Sequence, residues 1–262
     1  MSSSPRASSV SYRRAAIYDA PEWYDVDYAG YRGEEAFYRV VIERHAKAGG
    51  ATVELGAGTG RLALRLASGG FRVHAVEPAP AMRAVLVERA RGAFDVEDAT
   101  ALTFIGPAAR VDCVLFPFNG VLHLETRAEL LASFRHVRER LHDDGRFALD
   151  LTGPYWEAML YGPTDWGRDD ERVHPVTGQK VRTCDRARYE PRTREMVIEI
   201  RYLVEGAANV IEITLRQTMW TWQQVLGALD EAGFAVDLLF GDVDMAPFAE
   251  GSTRLLVSAR KA

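Results

Sequence analysis

Cysteine is scarce, with only Cys113 and Cys184 in 262 residues. That excludes a disulfide framework and a four-thiolate zinc site, and it makes a reducing cytoplasm the expected compartment. Basic charge is not in excess either. Lys and Arg total 32 against 37 Asp and Glu, a net charge of −5 with neutral histidines. The clustered cations that neutralise nucleic-acid phosphates or an anionic membrane are therefore missing, and neither partner is expected. No apolar run approaches the ~18–20 residues that span a bilayer, and no internal repeat is visible. The composition that remains, 47% hydrophobic and 26% charged, is that of a globular protein and excludes a largely disordered chain. The length suits one compact domain with a modest appendage, large enough to bury a core without staples.

Residues 1–14 are serine-rich and carry Arg6, Arg13 and Arg14 without an acid. They read as a disordered, solvated tail, since no apolar h-region or long amphipathic stretch marks a targeting peptide. An aromatic and acidic stretch without a clean period follows, from Tyr18 to Tyr28. Glu34 to Lys47 has a helical period with Phe37, Val40 and Val41 on one face, and Gly49-Gly50 ends it. From there strand and helix signals alternate. Ala51–Leu55, Phe71–Val76, Val111–Phe116 and Arg146–Leu151 read as strands; Arg61–Ala67, Pro80–Arg91 and the helix opened by the Thr126-x-x-Glu129 capping box lie between them. Short turns between such elements mean βαβ units and a parallel sheet flanked by helices.

The pattern breaks at Thr152. A loop-like stretch rich in Gly and Pro runs to Gln179, and three runs of period two follow, near Lys180–Tyr189, Glu195–Glu205 and Val210–Thr218. They predict a three-stranded antiparallel insertion. A second capping box, Thr221-x-x-Gln224, restores the α/β pattern, and Phe234–Phe240 and Arg254–Ala259 supply two last strands.

The chemical signal is Val53-Glu54-Leu55-Gly56-Ala57-Gly58-Thr59-Gly60, placed where a strand turns into a helix. Glycines there let the backbone turn tightly and approach a ligand at the carboxyl edge of an open sheet. The next strand ends in Glu77, nineteen residues after Gly58, where a carboxylate can accept both hydroxyl protons of a ribose. A dinucleotide fingerprint needs its third glycine at the position held here by Arg61; the pattern is instead G-x-G-x-G preceded by an acid.

This arrangement, with Asp98-Ala99 after the next strand region and Asp112–Phe116 opening the following strand, resembles the class I S-adenosylmethionine-dependent methyltransferases. The resemblance spans roughly Ile17 to Ala262. It implies a doubly wound, mostly parallel seven-stranded sheet with helices on both faces, the Rossmann-like methyltransferase fold, plus a small antiparallel insertion. The domains it implies are a tail (1–14), an N-terminal helical cap over the cofactor (15–48), the cofactor-binding domain (49–152 and 220–262) and an acceptor-side insertion (153–219).

The cofactor implied is S-adenosyl-L-methionine, with S-adenosyl-L-homocysteine as product. Its cradle would be Glu54, Gly56, Ala57, Gly58 and Gly60, with Glu77 on the ribose, Pro78 and Met82 on the adenine, Asp98 and Ala99 on its edge, and Phe116 near the reacting end. Met82 fits the core equally well, and Asp98 fits a turn, with Asp95 and Glu97 close by. Within the family, Phe118-Asn119-Gly120-Val121-Leu122-His123-Leu124 and the segment Trp23-Tyr24-Asp25…Tyr28…Tyr31-Arg32 are similar to glycine N-methyltransferases and sugar-amine N,N-dimethyltransferases. The likeness implies that Tyr24 stacks near the cofactor and Arg32 clamps its carboxylate.

The acceptor that the resemblance implies is a small molecule, with an amine nitrogen favoured. A small-molecule O-methyltransferase, or a non-methylating cofactor-binding enzyme or regulatory module, stays open as an alternative. His123 and Tyr24 are the catalytic candidates, His123 as a base because its ordinary pKa near ~6.5 suits proton removal. Tyr28, Asn119, His123, Tyr155 and Trp156 are the acceptor-side candidates. No metal site is expected, and the insertion offers a homodimer surface by analogy.

Overall fold

The computed structural model describes residues 11–262 apart from 48, 108–109 and 153–160. A seven-stranded sheet organises the molecule. Its strands are β2 (Ala51–Leu55), β3 (Arg72–Val76), β4 (Asp95–Glu97), β5 (Val111–Phe116), β6 (Leu141–Thr152), β11 (Phe234–Phe240) and β12 (Arg254–Lys261), in the spatial order β11-β12-β6-β5-β2-β3-β4. The five strands from β6 to β4 pair in parallel, while β12 runs antiparallel to both β6 and β11. All seven lie within 49–152 and 220–262.

Successive side chains on a strand point to opposite faces, and the core divides accordingly. Val114, Phe116, Phe147 and Leu149 join the cluster on one face; Cys113, Leu115 and Ala148 join the other, with Phe37 and Tyr38. Helices cover both faces: α2 (Glu35–His45), α3 (Arg61–Ser68), α4 (Pro80–Ala90), α5 (Arg127–Arg140) and α6 (Trp222–Glu231). Both expected capping boxes are closed. Thr126 accepts from the Glu129 amide at 3.1 Å, and Thr221 from the Gln224 amide at 3.2 Å. Among the described residues, no helix is long and apolar enough to cross a membrane.

The insertion is larger than three strands. β7 (Gly167–Val173), β8 (Lys180–Glu190), β9 (Glu195–Val204) and β10 (Asn209–Thr218) form an antiparallel sheet, and β1 (Ser11–Ala16) adds a parallel strand beside β10. The two additions are its edges. Gly-Arg-Asp-Asp-Glu-Arg-Val and Ser-Tyr-Arg-Arg-Ala-Ala carry no alternating apolar pattern, so only their backbone pairing marks them as strands. The expected tail of 1–14 therefore overlaps a strand at Ser11–Arg14.

The expected cap, 15–48, divides in two. Its second helix, α2, packs on β5 and β6 as an ordinary sheet-covering helix, with Tyr38 and Phe37 fully buried. The short α1 (Pro21–Tyr28) lies elsewhere and is fastened at two points. Asp25 accepts from the Thr59 hydroxyl at 2.6 Å and from Arg89 at 2.5 Å, joining α1 to the glycine loop. Asp27 accepts from the Tyr202 hydroxyl at 2.7 Å, joining α1 to the insertion.

Candidate functional site

In an open α/β sheet, ligands sit outside the carboxyl ends of strands where the order of winding reverses. Here that point lies between β2 and β5: β3 and β4 continue to one side of β2, and β5 and β6 to the other. Three chain turns meet there, Gly56–Gly60 after β2, Glu77-Pro78 after β3 and Phe116–Gly120 after β5. Together they line a cavity of about 300 Å³ with Tyr18, Tyr24, Glu54, Arg61, Ala101 and His123.

The glycine loop has its shape for a reason visible in the torsions. Gly58 and Gly60 sit at φ of +60° and +92°, a region costly for a side chain. A Cβ on Gly60 would also come within 2.6 Å of Leu86, so Gly60 serves helix packing and does not line the cavity. Glu77 holds the loop from the neighbouring strand. Its two oxygens accept from the Gly58 amide at 2.7 Å and the Ala79 amide at 2.8 Å. Burial raises its pKa, against the pull of those two amides.

Glu54 lies deeper, at 2% exposure. Its Oε2 has no hydrogen-bond partner among the described residues, and burial pushes its pKa up to about 8 despite the Arg61 charge nearby. Arg61 itself forms a buried ion pair with Glu34 and lies 4.8 Å over the Phe118 ring.

Around the mouth stand Tyr18, Tyr24 and His123. The Tyr18 hydroxyl and His123 Nε2 are 2.8 Å apart. His123 opens onto the cavity but is ringed by protein, and the lost hydration pushes its pKa down to about 4. That direction favours the neutral imidazole. Enclosure likewise pushes Tyr24 up to about 12.

A second cavity of about 300 Å³ adjoins the first, sharing Tyr18, Tyr24 and Phe118. Tyr28, Tyr31, Asn119, Thr152, Arg172, Gln217 and Arg254 line it. It lies between the parallel sheet and the insertion, so β6, β7, β10 and β12 all reach it. Asn119 is pinned there at φ +63°, its Oδ1 accepting from the Thr152 amide at 2.7 Å and hydroxyl at 2.9 Å.

The structure brings most of the expected cofactor residues to the first cavity: Tyr24, Glu54, Gly56, Ala57, Gly58, Glu77, Pro78 and Phe116. Five others, Gly60 among them, lie outside its lining. Met82, on α4, is fully buried. Arg32 is drawn outward to Glu35 at 3.4 Å, its side chain 70% exposed. Asp98 is likewise held outside by Arg83 at 2.8 Å, and Thr100 and Ala101 line the wall in place of Asp98 and Ala99. On the acceptor side, Tyr28 and Asn119 line the second cavity and His123 the first. Tyr155 and Trp156 lie outside the described residues.

Sequence reasoning missed Tyr18, Arg61 and Arg254. Arg61 stands directly after the glycine motif, the one signal that could have flagged it. Tyr18 and Arg254 come together only through the fold.

Residues 53–145 match the family described as Methyltransferase domain. Over that stretch the chain is similar to a methyltransferase domain. An uncharacterised methyltransferase of Bacillus subtilis, YrrT, is 30% identical to it over 138 residues, 51% of this chain; the chain thus spans 62% of that relative's length. Among solved structures, the CcbJ methyltransferase of Streptomyces caelestis superposes with a TM-score of 0.79 at 21% identity, covering 94% of this chain and 98% of that one. CalS10, an amino pentose methyltransferase of Micromonospora echinaspora solved with S-adenosylmethionine bound, gives 0.69 at 24% identity over 92% and 97%. These likenesses establish the Rossmann-like methyltransferase fold of this domain.

Proposed function

We propose that this methyltransferase moves a methyl group from S-adenosyl-L-methionine in the first cavity to an amine nitrogen of a small molecule in the second. The observation that carries this reading is the junction of the two cavities at Tyr18, Tyr24 and Phe118, with His123 beside it. CalS10, with its amino pentose substrate, supports the amine.

The first cavity fits the cofactor. The unpartnered Oε2 of Glu54 is a waiting acceptor for an ammonium group. Gly56 and Gly58 leave no Cβ in the way. Glu77 keeps lone pairs for two ribose hydroxyls beyond its two amide bonds. In this reading Arg61 takes the carboxylate-facing place expected of Arg32, Pro78 and Ala101 face the adenine, and Thr100 takes the edge expected of Asp98.

When bound, the cofactor supplies an electrophilic methyl on a sulfonium. The chain has then to align the nucleophile and exclude water. The Tyr24 ring, protonated and neutral, gives an electron-rich wall toward that cation. The Tyr18–His123 pair orients the acceptor nitrogen at the junction. An imidazole with a pKa near 4 is a weak base, so its part is to hold Tyr18 and the nitrogen in line, while the released proton leaves to solvent. The same weakness favours a neutral amine over an alcohol or phenol, which must lose its proton to become a good nucleophile.

The test is turnover. Incubating the protein with S-adenosyl-L-methionine and a panel of amines and phenols should release S-adenosyl-L-homocysteine with amines. Release with phenols alone makes it an O-methyltransferase. Cofactor binding with no release from any acceptor overturns the reading.

A further inference from the structure

The second cavity also specifies the chemistry of its occupant. Arg254 enters it from the first residue of β12 with its side chain 15% exposed, and its Nη1 is buried without a hydrogen-bond partner among the described residues. Asp150 faces it, but Oδ2 is 3.7 Å away, too far for a hydrogen bond. Asp150 cannot turn to close that gap. Its Oδ1 is held by the Tyr38 hydroxyl at 2.6 Å and the Phe118 amide at 2.7 Å. Burial pushes the Asp150 carboxyl up to about 6, which makes it a poor counter-ion as pH falls toward that value.

Arg172 reaches the same cavity from β7. Its Nη2 is on Asp170 at 3.0 Å, and its Nε, 3.7 Å from Asp27, is also buried without a hydrogen bond. The Arg172 side chain, 38% exposed, also meets water, whereas the buried Nη1 of Arg254 is costly unless something pairs with it. A planar fork of N–H donors matches a carboxylate or phosphate two bonds at a time. Tyr28 and Phe118, 5.0 Å apart edge to face, form an aromatic stretch of the wall, and Asp27, Asn119, Thr152 and Gln217 also line it.

The geometry points to an acceptor that carries an acid group, carboxylate or phosphate, bound by Arg254 with Arg172 in support. The body of the molecule lies along Tyr28 and Phe118, and the amine points to Tyr18 and His123. This rests on the second cavity being the acceptor site proposed above.

The experiment uses three fluorinated probes of one shape: para-fluorobenzoate, para-fluorophenyl phosphate and para-fluorobenzamide. Affinities are read by fluorine NMR with the wild-type protein, with and without S-adenosyl-L-homocysteine. At least one anion should bind about tenfold more tightly than the neutral amide, and the preferred anion separates carboxylate from phosphate. Arg254→Gln should abolish that preference, and Arg254→Lys should keep part of it, while S-adenosyl-L-homocysteine affinity stays near wild type in both. Equal binding of all three probes to the wild-type protein overturns the inference even if Arg254→Gln does not fold, and so does an anion preference that survives in folded Arg254→Gln. Failure of S-adenosyl-L-homocysteine to bind counts instead against the cofactor reading, and the anion preference is still decided without it.

Discussion

Tyr18 and His123, 105 residues apart in the chain, share a 2.8 Å hydrogen bond in the wall of the first cavity, and Tyr18 also lines the second. Their rings also meet edge to face, 5.3 Å between centroids. The N-terminal segment and the turn after β5 thus converge on one place.

If this pair orients the acceptor, removing the shared bond lowers turnover without loosening the cofactor. Tyr18→Phe should reduce kcat by about tenfold, the worth of one hydrogen bond of ~1.4 kcal/mol. His123→Ala should cost at least as much. Steady-state kinetics with calorimetry for S-adenosyl-L-homocysteine checks both, and wild-type turnover in Tyr18→Phe removes the pair from the mechanism.

Glu77 should matter for the cofactor instead. Its loss removes the ribose acceptor and frees two amides of the cradle. Glu77→Ala should weaken S-adenosyl-L-homocysteine about a hundredfold, since hydrogen bonds to a charged group contribute ~1.5–3 kcal/mol each. Calorimetric titration measures it; an unchanged Kd places the ribose elsewhere.

The shifted groups give the ligand-free protein opposing pH responses, Glu54 between 4.5 and about 8 and His123 between about 4 and 6.5. Glu54 is raised from 4.5 to about 8. The stability it contributes is complete below the unfolded value and is lost as pH rises through the folded one. His123 is lowered from 6.5 to about 4. Its contribution is present above the unfolded value and is lost as pH falls through the folded one. Melting temperatures across pH should show both slopes. Glu54→Gln should flatten the fall between 6.5 and about 8, where His123 no longer titrates, and a slope identical to wild type would mean that Glu54 is already ionised.

Glu34 is fully buried and paired with Arg61, whose side chain is 5% exposed. Breaking such a pair leaves a buried charge unmatched. Glu34→Ala should therefore destabilise by about 3–5 kcal/mol, read as a fall in denaturant midpoint. Replacement without a measurable fall would mean that Arg61 finds solvent or another acid.

Much of the parallel sheet was legible because its signals are local. Strand runs, capping boxes at Thr126 and Thr221, and the glycine spacing each depend on a few neighbouring residues. The edge strands were not legible. β1 and β7 have no apolar alternation and exist because β10 and β8 offer them backbone partners. Gly56 and Gly58 of the glycine motif lie together with Glu77 on the first cavity, whereas Asp98 and Arg32, where the chain leaves the strands, lie outside its lining. Arg83 and Glu35 decide the positions of Asp98 and Arg32, and neither pairing has a sequence signature.

By itself the sequence determined the order of elements, the glycine turn and the carboxylate that faces it, since periodicity, capping and spacing act over a turn or two of chain. Only the tertiary structure decided that Tyr18 meets His123, that Arg61 rather than Arg32 lines the first cavity, and that Arg254 stands with an unmet Nη1 in the adjoining one. These relationships join residues from distant elements. Their energies depend on burial and on which partner packs nearby, quantities that no local pattern encodes.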